Sequence, residues 1–193
     1  MVQKEEYMKP YEVREAITIP YFDHDDSSLR KTIENSSKRR AMSPLRFALR
    51  KIRNIILSRW SYRCPLNKFR VRWNRRRGVT IGENVYIGLH CTIDNAYPEF
   101  IYIEDNVSLA GNVTILAHSN PYGHFKNVVE SGVSPVIIKE GAWVADGAII
   151  LRGVTIGRNA IVSAGCVVDK DVPDCALAKG NPMKIVADFS ALI

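Results

Sequence analysis

An aliphatic residue that returns at every sixth position constrains this chain more than anything else in it. The series runs Ile81, Ile87 and Ile93, then Ile103, Leu109 and Ile115, then Ile138, Val144, Ile150, Ile156, Val162 and Val168. Two residues before most of these lies a second set, small or β-branched: Val79, Val85, Cys91, Val107, Val113, Ala142, Ala148, Val154, Ala160 and Cys166. A period of six fits neither a strand, with period 2, nor a helix, with period 3.6. It fits a solenoid in which six residues make one short strand and one corner, so that three hexads close a triangular coil and twelve build about four coils.

In such a coil both residue sets point inward, and each aliphatic side chain stacks on its counterpart one coil along, at the ~4.8 Å spacing of parallel strands. Cys91 and Cys166 occupy small inward slots, which makes them core thiols rather than nucleophiles. The corners carry Glu83-Asn84, Asp105-Asn106 and Arg158-Asn159, residue types that tolerate a left-handed backbone. The four cysteines show no C-x-x-C pair or metal-ligand spacing, so reduced thiols are expected and no metal is. No early stretch resembles a secretory signal, and no apolar run approaches the ~18 residues that span a bilayer. A cytoplasmic protein is expected.

The repeat passages Gly78-Val79-Thr80-Ile81-Gly82-Glu83-Asn84-Val85 and Gly153-Val154-Thr155-Ile156-Gly157-Arg158-Asn159-Ala160, with the tail Ala178-Lys179-Gly180-Asn181-Pro182-Met183-Lys184-Ile185-Val186, resemble the hexapeptide-repeat acetyltransferases of the galactoside, maltose and xenobiotic kinds. The resemblance runs from about Gly78 to Val186. It implies an all-β fold, a left-handed parallel β-helix, preceded here by an α-helical N-terminal extension. It further implies a homotrimer with active sites between subunits, and acetyl-CoA as co-substrate. The organisation expected is an extension over 1–76, the β-helix over 77–173 with a loop inserted at 118–135, and a tail over 174–193.

The repeat breaks between Ile115 and Ile138, where Ala117-His118-Ser119-Asn120-Pro121-Tyr122-Gly123-His124 opens a polar loop of poor strand potential. A long loop in a regular solenoid is more often functional than structural. His118 stands at its base, and a neutral imidazole can take the proton of a hydroxyl as that hydroxyl attacks a thioester. The family has its catalytic histidine in the same context as Val113-Thr114-Ile115-Leu116-Ala117-His118, so the resemblance makes His118 the general base.

The resemblance also implies coenzyme contacts at Trp143, Asp146, Ala164, Asp169, Lys170 and Lys184. Trp143 should face outward, because its neighbours Ala142 and Val144 take the inward slots. For the acceptor, a sugar or glycan precursor that is either a small molecule or lipid-linked, the resemblance implicates Gly88, His90, Asp94 and Asn95, with His124 as a further contact. Asp94 could instead orient an imidazole. Two rivals stand beside this reading: a zinc enzyme like the γ-type carbonic anhydrases, using His90, His118 and His124, and a non-catalytic β-helix.

The net charge of +7 is carried by one segment: Ser36 to Gly82 holds fifteen Lys/Arg and no Asp or Glu, against twelve bases and twenty acids elsewhere. Such a patch attracts phosphates of some kind, and nucleic acid is not the expected partner. Within it Ser43-Pro44 reads as a helix start, followed by apolar residues at Leu45, Ala48, Leu49, Ile52, Ile55, Ile56 and Trp60 with arginines between. This amphipathic basic helix could cap the open strand edges of the first coil. Alternatively it could lie on an anionic membrane, peripheral to its inner face. The acidic first thirty-five residues show no defensible chemistry.

Overall fold

In a computed structural model of the chain, residues 11–22 and 42–192 are described. Three parallel sheets form the sides of a triangular prism. The first face stacks Thr80–Ile81, Ile101–Ile103, Val136–Ile138 and Thr155–Ile156. The second stacks Tyr86–Ile87, Ser108–Leu109, Trp143–Val144 and Ile161–Val162, and is extended by Ala176–Lys179. The third stacks Thr92–Ile93, Thr114–Ile115, Ile149–Ile150 and Val167–Val168. Four coils of a left-handed β-helix result. Lys184–Asp188 then turns back antiparallel on Ala176–Lys179.

All twelve aliphatic positions of the period and all ten of the companion set are buried, Cys91 and Cys166 among them. Burial pushes both thiols up from their ordinary pKa, which keeps them protonated and inert. The corner after the first face has a positive φ at Asn84, Asn106, Gly141 and Asn159, and the corner after the second at His90, Asn112, Gly147 and Gly165. At Gly88 close approach, not conformation, demands glycine. A Cβ there would fall 2.4 Å from the backbone of Ala110 on the next coil.

The N-terminal extension differs from expectation in two ways. Helix α1 (Pro44–Arg63) starts as read, with Ser43 Oγ accepting from the Arg46 amide at 3.4 Å. A second helix, α2 (Asn67–Arg77), follows in the densest part of the basic run, ended by Gly78 in the left-handed region. It is α2 that caps the first coil. Arg75 donates to the carbonyls of Ile81 and Gly82, Arg70 to that of Ile87, and Arg77 to those of Ile93 and Asp94, so each of the three open edges receives one guanidinium. The apolar stripe of α1 does no capping: Asn54, Leu57 and Ser61 are buried instead, and Leu45, Leu49, Ile52 and Trp60 are all more than half exposed. Strand edges offer unpaired backbone carbonyls, which an arginine fork satisfies and an isoleucine does not.

The inserted loop is also more ordered than its composition implies. His118–Ser119 pairs antiparallel with Gly132–Val133, which pairs in turn with Ile17–Thr18 from the N-terminal segment. That segment is a strap. Tyr11 stacks on Tyr102 and donates to Glu104 Oε1, Ile19 is buried, and the Phe22 amide donates to the Pro121 carbonyl. Its pairings are two residues long and close over a hundred residues apart, too short and too distant to leave a period in the sequence.

Candidate active site

The corner that follows the third face carries the reactive geometry. Ile93 ends that face on the first coil, and Asp94 is the next residue. Ile115 ends it one coil on, and the chain reaches His118 three residues later. Stacking of the two coils sets these side chains against each other, with His118 Nδ1 2.5 Å from Asp94 Oδ2. The carboxylate is inaccessible to solvent, whereas the imidazole is about a third exposed.

Asp94 is held on every side. Oδ1 accepts from the amides of Ala96 and Tyr97, and Oδ2 accepts from the amide of Ala117 as well as from His118. Burial pushes its carboxyl up, but the hydrogen bonds from His118 and from the Tyr97 and Ala117 amides together outweigh that and hold it below its ordinary value. An ionised carboxylate only accepts, so Nδ1 must carry the proton. In a neutral imidazole Nε2 is then the unprotonated nitrogen. One bond thus fixes both ring orientation and tautomer.

Two contributors to this corner were not legible beforehand. Arg77 is buried, and its Nη2 reaches the carbonyls of Ile93 and Asp94 and the Oδ1 of Asn95, pinning the turn on which Asp94 sits. Burial pulls its pKa down to about 10, with Asp94 opposing, so it stays charged at neutral pH. Tyr97 lies with its ring 5.4 Å from that of His118. Arg77 is the last of a run of arginines, and nothing in the run marks it as the buried one.

Other expected residues are placed as follows. Asn95 is exposed beside Asp94 and is engaged by Arg77. Asp169 and Lys170 are exposed on the same corner as His118, two coils further on. Trp143 faces outward from the second face, half exposed, between Ser108 and Ile161. Asp146 and Ala164 are exposed at the corner after that face, where Asp146 accepts from Asn112 Nδ2, and Lys184 is paired with Lys179 at its end. His90 takes a left-handed corner slot against Tyr62, and Gly88 is packed under Ala110. His124 is exposed in the inserted loop, its ring against Tyr122 and Phe125.

Within one chain, therefore, Asp94, Asn95 and His118 come together. Trp143, Asp146, Ala164, Lys184, Gly88 and His90 lie along the second face and its far corner, separated from His118 by the third face. Among the described residues no group of three or more His, Cys, Asp or Glu is arranged to hold a metal ion, and His90, His118 and His124 do not converge.

The fold and the repeat define a class, the hexapeptide-repeat β-helix proteins. Residues 135–170 match the bacterial transferase hexapeptide (six repeats) family, and residues 78–117 match the hexapeptide repeat of succinyl-transferase. Galactoside O-acetyltransferase of Escherichia coli (strain K12) is 33% identical over 113 residues, covering 58% of this chain and 55% of that protein. A maltose O-acetyltransferase structure from Clostridium difficile 630 is similar at a TM-score of 0.59 and 26% identity, over 74% of this chain and 88% of that one. A hexapeptide-repeat acetyltransferase of Vibrio cholerae O1 biovar eltor, complexed with acetyl coenzyme A, shares the fold at a TM-score of 0.52 and 20% identity, over 74% and 88%. Over its β-helix the chain is therefore similar to the hexapeptide-repeat acetyltransferases. It spans about half the length of the curated relatives it matches.

Proposed function

We propose that this chain is an acetyl-CoA-dependent O-acetyltransferase, with His118 as general base and a hydroxyl of a sugar or glycan precursor as acceptor. The observation that carries the reading is the Asp94–His118 pair at the open corner where the repeat breaks. Nε2 takes the proton of the acceptor hydroxyl as its oxygen attacks the thioester carbonyl. The carbon–sulfur bond then breaks, the acetyl group stays on the acceptor oxygen, and the coenzyme leaves as a thiol after recovering the proton from the imidazolium. Asp94 stabilises that imidazolium without itself taking the proton.

A homotrimer accounts for the split of the remaining residues. Packing one prism's third corner against the second face of another would set His118, Asp169 and Lys170 of one subunit opposite Trp143, Asp146, Ala164 and Lys184 of the next. Lys170 and Lys184 would then face the coenzyme phosphates, and Trp143 would lie along the pantetheine arm. Gly88, His90, Asn95 and His124 are the candidate acceptor contacts. Asp94, fully bonded within the chain, acts through His118. Use of acetyl-CoA places the reaction on the cytoplasmic side.

The test has two parts. Acetyl-CoA should raise the melting temperature through its binding to the folded state, and no shift at millimolar coenzyme would remove the donor from the reading. His118→Ala should lower acetyl transfer by ~10²-fold or more while leaving that thermal shift intact.

A further inference from the structure

Helix α1 presents a second amphipathic face that the fold does not use. Leu45, Leu49, Ile52, Ile56 and Trp60 follow one another at spacings of four and three residues, so they line one side of the helix. They are 70%, 57%, 55%, 44% and 56% exposed. Isolated exposed apolar residues are ordinary, but a continuous stripe of five is not. The stripe continues over α2, where Trp60 meets Trp73 at 5.7 Å between ring centroids and Trp73 stacks on Phe69 at 5.7 Å. Among the described residues nothing covers it.

Charge identifies the occupant. By helical spacing Arg46 and Arg53 flank the stripe on one side and Arg59 on the other, all exposed, and α1 carries no carboxylate. On α2, Lys68, Arg72, Arg75 and Arg76 line a cleft of about 560 Å³ at the same end of the molecule, with Glu83 as its acid. A twofold pairing of two copies through this face would bring the same cations against themselves. An anionic bilayer matches on both counts. Its headgroups neutralise the flanking cations and its acyl boundary receives the stripe, with Trp60 at the interfacial depth that tryptophan favours. Neither helix is long and apolar enough to cross a membrane, so α1 would lie in the surface.

We infer that α1 is a membrane-surface anchor that binds anionic phospholipid through the Leu45 to Trp60 stripe and its flanking arginines. The inference is independent of the transferase reading, because vesicle binding requires neither acetyl-CoA nor His118. The full chain is mixed with phosphatidylcholine vesicles, with and without phosphatidylglycerol, and sedimented. Binding should need phosphatidylglycerol and should fall about tenfold or more in Ile52→Glu/Ile56→Glu. Both side chains are exposed, so this variant should keep the parent melting temperature. With Trp73 and Trp143 replaced by Phe, the emission of Trp60 should shift to the blue on anionic vesicles. Absence of sedimentation with phosphatidylglycerol would overturn the inference, as would binding that the double substitution leaves unchanged. A change of oligomeric state in that variant without lipid would also overturn it, by showing the stripe to be a contact between copies.

Discussion

At the scale of single residues the decisive relation is between Asp94 and His118, twenty-four positions apart. Neither alone marks a site: Asp94 is a corner residue after Ile93, and His118 opens a two-residue strand. Together they fix a tautomer, and the cost of losing the carboxylate follows from that. In Asp94→Asn the side chain can present an NH2 group to the ring, favouring the proton on Nε2, where it would block the proposed base. Acetyl transfer at neutral pH should fall by ~10²-fold or more, measured as kcat with acetyl-CoA binding intact. The same residue bears on stability. Its carboxyl lies below its ordinary value of 3.8 in the folded chain, so ionisation favours the folded state at every pH above that value. The increment is lost as pH falls through the lower folded value. The melting temperature of Asp94→Asn should accordingly decline less steeply than the parent's on the acid side, in a thermal scan from neutral pH downward. The inward slots of Ala142 and Val144 imply an outward-facing Trp143, and its side chain does face outward. Arg77 could not be read, because which arginines of α2 are buried, Arg70 and Arg77 but not Arg72, Arg75 or Arg76, depends on where α2 docks.

Among the elements, coils, capping helix and strap are held by different forces. Coils depend on close stacking of backbone as much as on aliphatic burial, and Gly88 tests that. Gly88→Ala puts a methyl into the Ala110 backbone and should lower stability by about 1–3 kcal/mol in denaturant unfolding. Helix α2 is held by arginine forks on the three carbonyl edges, a role for which its cations give no local sign. The strap is held mainly by Ile19 and two-residue pairings. Ile19→Asp should release it, speeding hydrogen exchange at the 118–133 segment while the coil amides stay protected. Local composition marked α1 correctly as amphipathic, yet which of its faces packs inward was decided by the polar side chains Asn54 and Ser61, with Ser61 bonded to Asn74 of α2.

For the whole molecule, His118 lies on one corner and Trp143 on another face, so a site that uses both, as proposed, needs a neighbouring subunit. If neighbouring subunits complete it, His118→Ala and Trp143→Ala are each impaired but can complement. Co-expressed in equal amounts, they should give mixed oligomers more active than either parent preparation. Activity no higher than the parents' would place the site within one chain. The hexad period by itself determined the coil count, the inward residues and the break that exposes His118, because each hexad meets only its counterparts in adjacent coils and the pattern is therefore local. Tertiary structure alone decided which side chains meet across coils, which arginines turn inward, what the N-terminal strap covers and which face of α1 is left open. Those contacts join segments up to more than a hundred positions apart, as Ile17 and Val133 are, and no short-range pattern in the chain encodes where such segments dock.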